Sequence, residues 1–289
     1  MPAADASTWT LRVEGLVRHP LQLRLAELRE LPAQTIAVTL ECAGNGRSLF
    51  DPPIEGEQWA LGAVSTAEWT GVPLSAVLDR AMLTTNASHL VFRGGDGGFE
   101  RGLSVPEANG SQALLAYAMN GEALPAVHGG PVRLVVPGWY AVASVKWLTS
   151  IEAVDAPFAG YFQTERYVYR DGDPVTTMCV RSLITHPADG ATVSPGELRV
   201  SGFAWSGSGP IAAVDVSVDG EAWNPATVEP GEAFAWQAWS RSIRVAQGTT
   251  VAIRSRATDA GGEVQPEKAT WNRLGYGNNS IQAVRVRVV

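Results

Sequence analysis

TIAVTLECAGNGRS, residues 35–48, changes character halfway along. Its first half is β-branched and apolar, which predicts a buried strand over residues 35–41. Its second half carries two glycines and an asparagine, which forbid regular structure and predict a tight loop. Cys42 therefore sits where a core strand opens into a glycine-rich turn. Upstream, alternating Trp9, Leu11 and Val13 predict another strand, and Leu25, Leu28 and Leu31 predict a short helix that Pro32 helps to end. Downstream, HLVFRG (residues 89–94) reads as a strand running into GGDGG around Asp96. QALLAYAM (112–119) reads as a helix before the loop NGEALPAVHGG (120–130). VRLVVPG and SVKWLTSIEAV predict core strands on either side of the turn at Gly138.

After about Arg181 the pattern changes. LRVSGFAW, VDVSVDG, FAWQAW, VAIRSRATD and VRVRVV are short alternating runs separated by Gly, Pro and Asp turns, the sequence form of a β-sandwich. LITHPADGATVSPGE (183–197) has two prolines and two glycines and little apolar periodicity, so a domain boundary is expected between residues 180 and 190. Trp139, Trp147, Trp205, Trp236 and Trp239 fall in strand-like context and are expected to be core anchors.

The chain has 289 residues, long enough for two domains, one of them able to enclose a cofactor. Its composition, 45% hydrophobic and 18% charged with many Gly and Pro, is that of a loop-rich globular protein. A net charge of −7 argues against a nucleic-acid partner, which needs a dense basic face. A few arginines in one pocket can still hold a small anion. No apolar run reaches the roughly 18 residues of a membrane span, and MPAADASTWT has neither the basic nor the apolar part of a signal peptide. The expected location is periplasmic if an export signal has been removed and cytoplasmic otherwise.

With two cysteines, Cys42 and Cys179, neither a disulfide framework nor a four-cysteine zinc site can form. A thiolate at a strand end beside glycines can approach a metal unobstructed, and it can equally be a small buried hydrophobe. Local context leaves both open. GxSxG, Walker, HExxH and CxxC patterns are absent, and GGDGGFERG lacks dinucleotide-binding spacing.

LECAGNGRS (40–48) resembles the cysteine loop of the sulfite oxidase and plant-type nitrate reductase family. HGGPVRLVVPGWYAVASVKWL (128–148) resembles the cofactor-binding stretch of the same family, in the expected order. VSGFAWSGSGPIAAVDVSVDGEAW (200–223) and WNRLGYGNNSIQAVRVRV (271–288) are similar to its immunoglobulin-like dimerisation domain. The resemblance implies an α+β protein: a mixed α/β molybdopterin-binding domain of the sulfite-oxidase fold over residues 1–182, then an all-β immunoglobulin-like sandwich over 183–289.

It further implies Mo-molybdopterin as cofactor, with Cys42 the one protein ligand to the metal. Asp96, His128, Arg133, Ser144, Val145 and Lys146 match cofactor contacts, Arg47 matches an anion-pocket arginine, and Tyr167 matches an active-site tyrosine. Taken singly, Asp96 is also a turn former, His128 a loop histidine, Arg133 and Lys146 strand-edge cations, and Arg47 a loop cap. Tyr167, with Tyr161 and Tyr169 close by, is also a candidate for plain aromatic packing.

Two departures are legible. The family's Arg-Asn-His segment upstream of the cysteine has no counterpart in these residues, and His19 in RHP does not fit it. In WNRLG, Leu274 stands where sulfite oxidases place an arginine, and Arg273 would point the other way in extended chain. The reaction implied is oxidation of sulfite, or a related oxyanion or sulfur compound, by oxygen-atom transfer, with electrons passing to an external acceptor such as a cytochrome. No haem is expected, because CxxCH is absent and no spare domain length remains. A homodimer through the C-terminal domain is implied. A nitrate-reducing member and a cofactor-free assembly protein are the alternatives.

Overall fold

The structure is a computed structural model that describes residues 6–169 and 172–289. Alternation along residues 9–13 buries Trp9, Leu11 and Val13, and Thr10–Gly15 becomes a central strand of a five-stranded sheet. The strand order is Leu21–Arg24, Thr10–Gly15, Leu148–Val154, His89–Gly94, Glu100–Ser104. Thr10–Gly15 and Leu148–Val154 run parallel, which brings the beginning and end of the first domain together. The expected helix is present as Leu25–Arg29, with Leu25 and Leu28 buried. A second helix, Leu74–Ala81, puts Leu74, Val77, Leu78 and Ala81 into the same core.

The strand that ends at the cysteine loop, Gln34–Glu41, pairs antiparallel with Val64–Pro73, which pairs with Leu114–Met119. The helix expected over residues 112–119 is therefore a strand. Its Leu and Ala residues favour a helix in isolation, but Leu114, Leu115 and Ala116 are fully buried between two sheet neighbours, Val64–Pro73 and Arg133–Val135. Sheet hydrogen bonds and two-sided burial outweigh a weak intrinsic preference over so short a run. Gly71 permits the pairing, since a Cβ there would lie 2.3 Å from the Leu115 carbonyl oxygen.

The C-terminal part is a two-sheet β-sandwich. One sheet orders Arg181–His186, Gly196–Trp205, Gln237–Val245 and Thr227–Val228. The other orders Thr192–Val193, Ala283–Val288, Thr250–Asp259, Ile211–Val218 and Asn224–Pro225. Alternation sends Val200, Val214, Trp239, Ile253 and Val286 into one core. Trp205 and Trp239 are buried as expected of core anchors. A further apolar cluster draws on both halves of the chain, joining Ala43 and Tyr140 to Met178, Trp205 and Tyr276. It lies beside Cys42, so the junction of the two parts backs the cysteine loop.

Candidate active site

Backbone bonds fix Cys42 at the strand end: its N–H donates to the Ala63 carbonyl (2.9 Å) and its carbonyl accepts from the Asn45 N–H (2.9 Å). Asn45 locks the turn from inside, donating through Nδ2 to Glu41 Oε1 (2.8 Å) and accepting at Oδ1 from the Ala63 N–H (3.1 Å). Gly46, at φ +82°, lets the loop reverse. Cys42 and Cys179 are both free thiols.

In front of Cys42 lies a cavity of about 550 Å³. Cys42, Asp96, His128, Arg133, Ser144, Lys146 and Tyr167 all line it, seven positions that the sequence disperses over more than a hundred residues. Two stretches that contribute His128, Ser144, Lys146 and Trp147 to the lining are tied together. The 3-10 turn Ala126–His128 is tied to residues 144–147 by Trp147 N–H to the Gly129 carbonyl (3.0 Å) and Lys146 Nζ to the Val127 carbonyl (2.8 Å). Gly129 is required there, because a Cβ would lie 2.8 Å from that of Lys146. Trp147 lines the cavity at a left-handed φ of 49° and is not the core anchor its context suggested.

Arg133 is buried and donates to the His128 carbonyl (2.9 Å) and the Ser144 carbonyl (2.8 Å), with its guanidinium 5.0 Å from the Trp69 ring centroid. Burial pushes its pKa down to about 10. Lys146 is also shifted down, by burial first and by the Arg133 charge second. Among the described residues, neither cation has a carboxylate within ion-pair distance, so positive charge at this wall is left for an anion. Trp69 lines the same cavity, and its buried Nε1–H has no acceptor among the described residues. Ser144 Oγ accepts from the Val136 N–H (3.0 Å), and Asp96 Oδ1 accepts from the Phe99 N–H (3.3 Å), so Asp96 is a turn former as well as a wall residue.

Two expected site residues lie outside the cavity lining. Val145 is fully buried in the first-domain core, its N–H bonded to the Ala143 carbonyl and its own carbonyl to the Leu134 N–H. Arg47 is outside the cavity lining and donates Nε to the Leu274 carbonyl (3.0 Å) and Nη1 to the Glu57 carbonyl (3.0 Å). Its guanidinium lies 5.1 Å from the Tyr276 ring centroid.

Tyr167 stands on a segment that returns on itself, with the Val175 N–H bonded to the Tyr167 carbonyl (2.9 Å). Its phenol pKa is raised, by burial first and by the Cys42 charge second, against opposing charges on Arg166, Arg47 and Arg101. Arg101, fully buried, donates to the Phe162 carbonyl and to the Val175 carbonyl and so pins both legs of this segment. Glu41, Asn45 and Arg101 fall within quoted stretches but received no site role from the sequence; for Glu41 and Arg101 a charge inside a strand pattern was the available signal.

Residues 1–162 match the family described as oxidoreductase molybdopterin binding domain, and residues 173–289 match the Mo-co oxidoreductase dimerisation domain. The chain is 38% identical to the sulfite oxidase of Gallus gallus over 95% of its own length and 67% of that protein's. It is 36% identical to the mitochondrial sulfite oxidase of Mus musculus over 100% of its own length and 59% of that protein's. A more distant relative is the NADH nitrate reductase of Solanum lycopersicum, 31% identical over 37% of that protein's length. The sulfane dehydrogenase SoxCD of Paracoccus pantotrophus is similar in structure, with a TM-score of 0.89 at 31% identity, covering 99% of this chain and 77% of that one. Two consecutive domain matches and identity to sulfite oxidases along nearly all of this chain agree with a cysteine loop that opens on a cation-lined cavity: the chain belongs to the sulfite oxidase family of molybdopterin-binding oxidoreductases.

Proposed function

We propose that this chain binds Mo-molybdopterin in the cavity before Cys42 and oxidises sulfite or a related small sulfur compound, passing electrons to an external acceptor such as a cytochrome. The supporting observation is the convergence of Cys42, His128, Arg133, Ser144, Lys146 and Tyr167 on one cavity of about 550 Å³. The residues fit the group. A thiol suits a sulfur-bound metal, two cations with no carboxylate partner among the described residues suit a terminal phosphate, and the Trp69 N–H, without an acceptor among those residues, suits a polar heterocycle. The bound cofactor would supply the oxygen-atom transfer and two-electron chemistry. Cys42 would be the protein ligand, with Asp96, His128, Arg133, Ser144 and Lys146 as cofactor contacts. Tyr167, fixed by Arg101 and stacked on Tyr276, would hold its hydroxyl toward the reacting side of the cavity.

Arg47 has two of its five N–H donors engaged by the Leu274 and Glu57 carbonyls, and Leu274 stands where the resemblance places an arginine, so the cationic part of an anion pocket is reduced. That favours a second reading within the family, a sulfur compound other than sulfite, in keeping with the likeness to the sulfane dehydrogenase SoxCD. A homodimer through the sandwich, with the domain boundary near residue 182, completes the proposal.

The test is metal analysis of the purified chain beside turnover of sulfite, thiosulfate or polysulfide with an artificial acceptor, and of nitrate with a reduced donor. Stoichiometric molybdenum with turnover of a sulfur compound and none of nitrate is the expected result. Cys42→Ser should abolish turnover, because a hydroxyl is a harder donor than a thiolate. A chain without molybdenum, or full activity in Cys42→Ser, would overturn the reading. Sedimentation analysis checks the dimer.

A further inference from the structure

Glu41, the residue before the thiol, is 1% exposed and carries three side-chain hydrogen bonds. Oε1 accepts from Asn45 Nδ2 (2.8 Å) and from Arg181 Nη1 (2.8 Å), and Oε2 accepts from Trp205 Nε1 (2.9 Å). Arg181 and Trp205 are direct register partners on adjacent strands of the sandwich, so one carboxylate is gripped by a preformed pair from the C-terminal part. The loop beyond Cys42 is held from the same side. The Gly277 N–H donates to the Ala43 carbonyl (2.9 Å), and Asn278 Nδ2 donates to the Gly46 carbonyl (2.8 Å).

As an ion pair this arrangement is a poor stabiliser. Burying both charges is costly, and Arg181 Nε and Nη2 are buried with no partner among the described residues. What it supplies is direction. Successive side chains of an extended backbone leave on opposite faces, so anchoring Glu41 in the sandwich sends Cys42 toward the cavity it lines.

We propose that Glu41 is a positioning residue for the Cys42 thiol, and that the sandwich, through Arg181 and Trp205, sets the geometry of the metal-binding loop in addition to any role in pairing subunits. The idea rests on the functional reading above, with Cys42 as the ligand. It predicts that charge balance and loop geometry can be separated. Glu41→Gln leaves a buried, unbalanced Arg181, whereas Glu41→Gln with Arg181→Met restores neutrality without restoring the anchor.

The full-length chain is prepared in two forms. In protein made without cofactor, alkylation of Cys42 by iodoacetamide is followed peptide by peptide. In loaded protein, molybdenum content and the Mo(V) paramagnetic resonance spectrum are recorded. Glu41→Gln is expected to lower the melting temperature, to speed Cys42 alkylation about ten-fold or more, and to shift the resonance parameters. The double variant is expected to recover the melting temperature while keeping fast alkylation and the shifted spectrum. Trp205→Phe, which removes one bond and no charge, should alkylate at an intermediate rate if Glu41→Gln does not fold. Wild-type alkylation and spectrum in these variants, or their return together with the melting temperature in the double variant, would overturn the proposal. Absence of molybdenum from the wild-type chain would overturn the functional reading instead, and the alkylation rates would still decide this one.

Discussion

The rings of Tyr167 and Tyr276 stack at 5.1 Å between centroids and 22° between planes, joining the first domain to the sandwich at the wall of the cavity. Arg47 packs on Tyr276 as well, so one buried ring supports both a wall tyrosine and the loop arginine. Tyr276→Ala should cost about 3–5 kcal/mol, the usual loss for a buried aromatic. Tyr276→Phe keeps the stack and should change stability by less than about 1.5 kcal/mol. Chemical denaturation of the three proteins checks this, and equal losses in both variants would show that the hydroxyl, rather than the ring, is what matters.

Arg101 makes a local prediction. Arg101→Met removes the donors to two carbonyls, each worth about 1–3 kcal/mol when left unsatisfied, but relieves the burial of a cation whose pKa is pushed down to about 10. The two effects oppose each other in global stability and add locally. Amide exchange over residues 160–169 and 172–175 should therefore accelerate by roughly ten-fold while the sandwich is unchanged. Uniform exchange in mutant and wild type would remove Arg101 from the account of Tyr167.

Lys146 gives a signed pH dependence. Its pKa in the folded chain lies below the ordinary 10.5, through burial and the Arg133 charge, so the folded state gives up this proton before the unfolded state does. Its contribution to stability thus grows as pH rises through the folded value toward 10.5. Anion binding has the opposite sign, since it needs the ammonium. In cofactor-free protein, the rise in melting temperature caused by inorganic phosphate or pyrophosphate should fade as pH climbs, starting below the ordinary lysine value. Lys146→Met should weaken the effect at neutral pH, and an unchanged phosphate response would place the anion elsewhere.

Gly46 separates conformation from contact. An alanine there meets both a left-handed φ of 82° and Arg181 Nη2 at 2.9 Å from the new Cβ. Gly248 has φ 76° and nothing within 4 Å. Each substitution should cost about 1–3 kcal/mol for the backbone, and Gly46→Ala more than Gly248→Ala by the contact with Arg181. Melting temperatures of the two variants measure the difference.

By itself the sequence determined what is local or periodic. A β-branched run ending at glycines put Cys42 at a strand end, and alternation of apolar residues declared the sandwich, because both signals are complete within a few neighbours. Resemblance to a known family, rather than periodicity, supplied the wall residues from Cys42 to Tyr167. Tertiary structure decided which of them meet and what holds them. It made residues 114–119 a strand against their helical preference, since burial on both faces outweighs intrinsic propensity, and it bonded Arg47 to a carbonyl 227 residues along. Glu41 finds Arg181 140 residues away and Trp205 164 away. A single buried charge leaves no periodic trace, and its partner is set only when two sheets close on it, so geometry of this kind exists only in the folded chain.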